Sequence, residues 1–499
     1  MTIILIILLA LQISTIAFNM QSLLLFLTLG AISYIYFLNN PLGHEKRFRI
    51  RSWLNWLPMG LLYAFLYMGR YNLTVCKIEL GTLMPKEAFG NIFAAGTVTY
   101  AFSFLINGPL VDRIGGKLGM LIGGIGAALA NVGMGIVTYL FVNGRITTNP
   151  TPIYAFLYAL NMYFQSYGAV SIVKVNAHWF HVKERGVFSG VFGTLIALGV
   201  YFAFSWNQAI ANATKLIPPD NLGFIERILR GLLFNPSATM DQTWLVFFFP
   251  AGLLILMVIV EAFLLKNSPK DAGYPDFDTH DMSSGEMDQK FTVFQIVKKV
   301  LTNPIILTIA FIELCTGAIR DGIMHWYPIY ASENISTASI FFRKNWGELL
   351  FLMGSYGGFF TGIISDKLFQ SRRGPSATFN YAGIFICVSM MALALHWNSW
   401  VLGASAICVT FLVIGVHGIL SGVATMDFGG RRGAATAVGI VDGFVYLGVG
   451  TQALALGRIT SYDWSYWPIF LIPFTLLGAY LAYRIWRALP NATRKAAAH

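Results

Sequence analysis

The sequence predicts an all-α membrane protein, two pseudo-symmetric six-helix bundles preceded by one or two extra N-terminal helices. Three observations predict it. Hydrophobic residues fill 56% of the 499 positions and charged residues only 11%, more apolar surface than a soluble core of this length needs. Apolar runs of about twenty residues recur along the chain, each matched to a hydrocarbon layer roughly 30 Å thick. Polar landmarks then repeat in the same order in the two halves.

Taken in order, residues 1–38 form an apolar segment interrupted near Asn19 by Asn-Met-Gln-Ser. It lacks a basic start and a small-residue cleavage site, so extra helices are expected in place of a removed signal peptide. A basic stretch, His44-Glu-Lys-Arg-Phe-Arg-Ile-Arg51, leads into core spans expected near 53–80, 89–111, 118–142, 152–176, 187–210 and 242–265. A polar linker, 266–303, separates them from spans near 304–330, 346–365, 379–396, 399–421, 433–457 and 465–486. Domains are accordingly expected at 1–52, 53–265, 266–303 and 304–499. Most of the 34 Lys and Arg fall on the linker side, which makes that side the cytoplasmic one of a multi-pass membrane protein. The same placement explains the net charge of +11 without nucleic acid. Between spans five and six, Leu222, Ile225, Ile228, Leu229 and Leu232 recur at helical spacing opposite Glu226, Arg227 and Arg230, predicting an amphipathic helix on the membrane surface. Cys76, Cys315, Cys387 and Cys408 lie in apolar runs without ligand spacing and read as small buried hydrophobes, with no disulfide or metal site. No hydrolase elbow, phosphate-cradling loop or His/Glu cluster points to an enzyme or a cofactor.

The repeat is carried by three landmarks at a near-constant offset of about 250 residues. Arg70 in span one matches Arg320 in span seven. The turn Gly108-Pro-Leu-Val-Asp-Arg-Ile-Gly-Gly-Lys117, with Asp112 and Arg113, matches Gly362-Ile-Ile-Ser-Asp-Lys-Leu-Phe-Gln-Ser-Arg-Arg373, with Asp366. Glu184-Arg-Gly186 before span five, which holds Arg185, matches Arg431-Arg-Gly433 before span eleven, which holds Arg432. In the two Gly-x-x-x-Asp turns the carboxylate, Asp112 or Asp366, is expected to cap a helix and pair with facing arginines.

Arginine at membrane depth costs about 2.5 kcal/mol or more, so Arg70 and Arg320 each need a partner or a task. Facing one cavity from opposite halves, two guanidiniums form a fork that holds a doubly charged anion such as phosphate. Lys174, near the cytoplasmic end of span four, is a third candidate for drawing anions or a snorkelling lysine. Glu313 and Asp442 either balance a buried arginine or couple transport to protons, and Asp321 lies beside Arg320. His325, His396 and His417 stand alone and read as packing or interface residues. Tyr67, Tyr71 and Tyr167, in aromatic-rich spans one and four, offer ring faces and hydroxyls to a polar head group.

With these residues the chain resembles the organophosphate:phosphate antiporter family of the major facilitator superfamily, over about residues 53 to 486. Tyr67-Met-Gly-Arg-Tyr-Asn72, Arg320-Asp-Gly-Ile-Met-His-Trp-Tyr-Pro-Ile-Tyr330 and His178-Trp-Phe-His-Val-Lys-Glu-Arg-Gly186 are each similar to a family stretch. The resemblance implies that Arg70 and Arg320 bind phosphate, with Trp326 in the span-seven motif among the substrate residues. It also implies a monomer exchanging an organophosphate for inorganic phosphate by alternating access. Phe104 stands where several relatives carry a span-two lysine and Ile196 where glycerol-3-phosphate carriers carry a histidine, so another phosphate ester is favoured. A proton-coupled symporter of an anionic metabolite and a membrane sensor of sugar phosphates are the alternatives.

Overall fold

The structure is a computed structural model describing residues 21–220, 222–275, 302–335, 337–370, 372–424 and 434–488. It is helical throughout, with no strand among the described residues. Where nothing but lipid surrounds the chain, a helix is the one open-chain form that satisfies every backbone N–H and C=O within itself. Among the described residues nine helices are long and apolar enough to cross a membrane, and the chain is a multi-pass integral membrane protein. Three further long helices, Lys46–Leu80, Thr151–Trp179 and Pro304–Met324, are more polar. They carry Arg70, Gln165 and Arg320.

The chain divides into two compact units. The first comprises Met1–Leu83, Val111–Asp281 and Asn345–Leu352, the second Met84–Leu110, Met282–Lys344 and Met353–His499. Span two and the first turns of span eight therefore group differently from a simple cut at the linker.

In the first unit, α1 (Gln21–Leu38) is the described part of the leading segment. Arg49, in α2 (Lys46–Leu80), holds its end by donating to the carbonyls of Tyr36, Phe37 and Asn39. Past α3 (Lys86–Ile114), most of which belongs to the second unit, α4 (Gly116–Val142) packs on α5 (Thr151–Trp179) along a glycine stripe. A Cβ on Gly116, Gly119, Gly123 or Gly126 would meet Val175, Ser171, the Phe164 carbonyl or the Phe164 ring, so only glycine lets the helices approach this closely. α6 (Val182–Tyr201) continues through a wide π turn, Phe202–Trp206, into α7 (Asn207–Ala213). The surface helix α8 (Phe224–Leu233) follows, then α9 (Leu245–Leu264). Phe224, Ile228 and Leu232 form its exposed apolar row. Glu226 accepts from Asn212 and Arg230 donates to the carbonyls of Ala213 and Lys215, fastening the helix to the preceding loop. At the end of α9, the Asn55 amide clamps both the N–H and the carbonyl of Lys266, at 2.8 and 3.2 Å.

In the second unit span seven is two helices, α10 (Pro304–Met324) and α11 (Trp326–Glu333). Pro328 has no N–H to return to the carbonyl four residues earlier, which separates them. The short α12 (Ile340–Lys344) precedes α13 (Trp346–Leu368), α14 (Arg373–Ala394) and α15 (Ser399–His417), the last opening into a π turn, Gly418–Ala424. α16 (Ala434–Ile459) and α17 (Tyr466–Arg484) complete it. α10 and α16 touch through reciprocal glycines: a Cβ on Gly317 would strike the Val445 carbonyl, and one on Gly448 the Leu314 carbonyl. Lys86 at the start of α3 pairs with Glu333 at 2.9 Å and lies 4.4 Å over the Trp464 ring, whose N–H also reaches Glu333. Of the cysteines, Cys76 and Cys315 are buried as expected, but Cys387 is half-buried and Cys408 exposed. An uncharged thiol is apolar enough to face lipid, so its position in an apolar run did not require burial.

Candidate functional site

Arg70 lies deep in α2 with no exposed surface, so it does not snorkel. Its Nε donates to Gln165 Oε1 on α5 at 2.7 Å, and its guanidinium lies 4.5 Å from the Tyr67 ring centre and 5.9 Å from that of Tyr71. Both rings are on the arginine's own helix, one turn before it and one residue after. Tyr167, one turn beyond Tyr163, stands 3.5 Å from it between hydroxyl oxygens.

A buried network of neutral side chains fixes the helix around that guanidinium. Asn207 Nδ2 donates to the carbonyl of Met68, Asn131 and Asn161 both donate to that of Gly69, and the Tyr158 hydroxyl donates to that of Arg70 itself. Asn72 donates to Asn131 at 2.7 Å, and Gln165 to Asn161 at 3.0 Å, so the acceptor of Arg70 is itself held. Three consecutive carbonyls of α2 thus receive side-chain donors in a low-dielectric interior, where each satisfied bond specifies one geometry. None of Asn131, Asn161, Gln165 or Asn207 stands out in the sequence, since a neutral amide in an apolar run announces no partner.

The counterpart in the second unit is built differently. Arg320 donates its Nε to Oδ1 of the adjacent Asp321 at 2.7 Å, and the Tyr446 ring lies 5.9 Å from its guanidinium. Asp321 is buried and has its second oxygen 3.9 Å from His325 Nε2. Asp321 is therefore the local counter-charge of Arg320, a part the sequence left open. Glu313, expected either to balance an arginine or to couple protons, lies 2.7 Å from His417 on α15. His417 is thus a partner of a buried acid and not the packing residue its isolation implied. Asp442 on α16 accepts a hydrogen bond from Ser421.

Two expected binding residues lie elsewhere. Lys174 pairs with Asp112 at 2.8 Å, nine residues or about 14 Å past Gln165 along α5. Asp112 thus pairs with a lysine where the loop motif implied an arginine. Trp326 is fully buried, edge-on to Phe89 at 5.8 Å, and its indole N–H is given to Gln452 at 3.0 Å. It packs the second unit. Arg113 is exposed at the end of α3. Arg185 and Asp366 lie on α6 and α13 with side chains outside the described residues, as is Arg432 altogether. Phe104 stands edge-on to Tyr100 at 4.8 Å.

A family model, the Major Facilitator Superfamily, matches residues 59–453. The chain is 27% identical to the glycerol-3-phosphate transporter of Bacillus subtilis (strain 168), over 88% of this chain and 93% of that protein. It is 25% identical to the membrane sensor protein UhpC of Escherichia coli (strain K12), over 85% and 90%. With the probable hexose phosphate transport protein of Chlamydia trachomatis the identity is 21%, over 92% and 96%. Among solved structures, an inward-facing, unoccupied bacterial homologue of the human lysosomal transporter Spinster superposes with a TM-score of 0.66 at 15% identity, covering 89% of this chain and 98% of that one. The xylose transporter XylE from E. coli gives 0.59 at 12%, over 87% and 98%. At such identities the superpositions speak for the fold, which agrees with the family match: the chain belongs to the Major Facilitator Superfamily.

Proposed function

We propose that this protein is a secondary transporter exchanging a phosphorylated metabolite, of the sugar- or glycerol-phosphate type, for inorganic phosphate by alternating access in a bacterial inner membrane. The observation that carries this reading is Arg70: a completely buried guanidinium at membrane depth, its Nε bonded to Gln165, on a stretch of α2 whose carbonyls are held by buried side chains. Arg320, its counterpart in the repeat, supplies the second positive group for a dianion. Relatives named as glycerol-3-phosphate and hexose phosphate transporters support the substrate class. Tyr67, Tyr71 and Tyr167 serve the head group, whereas Lys174 and Trp326 are committed to other bonds and are left out of the site.

Proteoliposomes loaded with inorganic phosphate should take up labelled glycerol-3-phosphate or hexose phosphate several-fold faster than empty ones. Uptake that ignores internal phosphate for every ester removes the exchange reading. A second reading, a sensor of sugar phosphates, is favoured by the relatives named as membrane sensor proteins. Thermal stabilisation by an ester without any flux would select it.

A further inference from the structure

Two thiols in the second unit take no part in phosphate binding and stand side by side. Cys387 lies on α14 and Cys408 on α15, and their side chains are in hydrogen-bond contact. The antiparallel packing of these consecutive helices sets them opposite one another. A Cβ on Gly383 would come within 2.9 Å of Leu412 Cδ1, so the helices approach closely there. Gly383 precedes Cys387 by one helical turn and Leu412 follows Cys408 by one, which places the thiols in the same register as that close approach.

The pair lies on an apolar face. Cys408 is exposed and Cys387 half-buried. The exposed side chains beside them, Ile386 and Met390 on α14 and Trp400 and Ala404 on α15, are all apolar. Both helices are long and apolar enough to cross a membrane, with the two cysteines well inside the spans, so this face meets acyl chains. Cys76 and Cys315, by contrast, are buried and have no such access. Separating a thiolate from its proton in hydrocarbon is costly, whereas a reaction that begins and ends with neutral species is not. Oxidation of two neighbouring thiols to one disulfide is of the second kind.

We propose that Cys387 and Cys408 are an oxidation site that delivers two electrons and two protons to a quinone dissolved in the bilayer and closes a disulfide between α14 and α15. Two S–H bonds break and one S–S bond forms. The quinone takes up both protons and the electron pair and leaves as neutral quinol. A disulfide needs Cβ atoms about 4 Å apart, and thiols already in contact reach that by side-chain rotation. The bond fastens helices that are held differently. The Tyr381 hydroxyl on α14 donates to the Ile312 carbonyl at 2.9 Å and lies 2.8 Å from that of Thr316, so α14 is tied to the helix that carries Arg320. α15 runs on into the π turn Gly418–Ala424, the kind of segment at which a helix bends. Oxidation restrains α15 against α14, and the oxidised protein is the stiffer form. The site stands independently of which anion the protein carries.

The test uses the full chain, fully reduced, in oxygen-free phosphatidylcholine nanodiscs with a short-chain ubiquinone as the probe. Peptide mass spectrometry without reductant should find Cys387 cross-linked to Cys408 in most molecules, with one quinol formed per cross-link. Membrane-impermeant ferricyanide should give several-fold less. Quinone treatment should raise the melting temperature, and dithiothreitol should reverse the rise. Cys408→Ser, a change at an exposed position, should show neither cross-link nor shift, whereas Cys76→Ser should cross-link as wild type does. If Cys408→Ser is unstable, prior alkylation of wild type with a lipid-soluble maleimide takes its place and should abolish the cross-link. Thiols still reduced after quinone, a quinone adduct on one cysteine in place of the cross-link, or ferricyanide as effective as quinone would each overturn the site. A melting temperature unmoved by a complete cross-link overturns the restraint of α15.

Discussion

Arg70 gives its Nε proton to Gln165 across 2.7 Å, and Gln165 in turn is held by Asn161. Two substitutions separate holding from neutralising. Gln165→Leu leaves a buried donor unmet, a loss of about 1–3 kcal/mol, and should lower affinity for inorganic phosphate roughly tenfold. Gln165→Glu puts a carboxylate against the guanidinium, where it competes with the substrate anion, and should lower affinity further. Titration calorimetry with inorganic phosphate checks the order; equal losses would mean that the charge of Arg70 is not what binds.

Asp321 is the counter-charge of Arg320, and removing one member of a buried pair costs about 3–5 kcal/mol. Asp321→Asn should therefore melt well below wild type. Inorganic phosphate should raise the melting temperature of the variant more than that of wild type, because the ligand supplies the missing negative charge. Equal increments would separate Arg320 from phosphate.

How much of this was legible in the sequence follows from the chemistry of each residue. Arg70 and Arg320 were readable because a charge in an apolar run is costly enough to demand a reason, and a repeat doubled the signal. The amides Asn131, Asn161, Gln165 and Asn207 were not, since each is cheap enough to occur in a helix for many reasons. The Glu313–His417 pair was hidden for another cause: its members lie 104 residues apart, and only the fold brings them together. Lys174 was singled out by its depth in span four and Trp326 by its place in a motif, and neither specifies the partner a side chain finds in the fold. Span boundaries were readable because apolar length is set by the bilayer, and α10 and α11 divide at the proline-containing segment visible in the sequence.

Asn131 bridges Gly69, Ala127 and Asn72. Asn131→Leu should destabilise by about 1–3 kcal/mol, leaving a buried Asn72 donor with one acceptor fewer. Chemical unfolding in detergent measures the loss, and an unchanged midpoint would remove the network from the account of how Arg70 is held.

The glycine stripe of α4 makes a contrasting pair of predictions. Gly123→Leu would press on the Phe164 carbonyl and the Gly168 N–H, backbone atoms that cannot swing aside, and should cost about 1–3 kcal/mol. At Gly190 on α6 a Cβ meets nothing within 4 Å, so Gly190→Ala should be neutral or stabilising by up to about 1 kcal/mol. Thermal unfolding of the two variants side by side tests both; a tolerated leucine at Gly123 would contradict the close α4–α5 contact.

The most direct measurement replaces each guanidinium by an ammonium. Arg70→Lys and Arg320→Lys keep the charge but lose the planar pair of donors that grips a phosphate. In phosphate-loaded proteoliposomes, with folding of each variant confirmed, exchange of labelled phosphate ester should fall at least a hundredfold in both. Exchange at the wild-type rate in either variant would contradict the claim that these two arginines hold the transported phosphate.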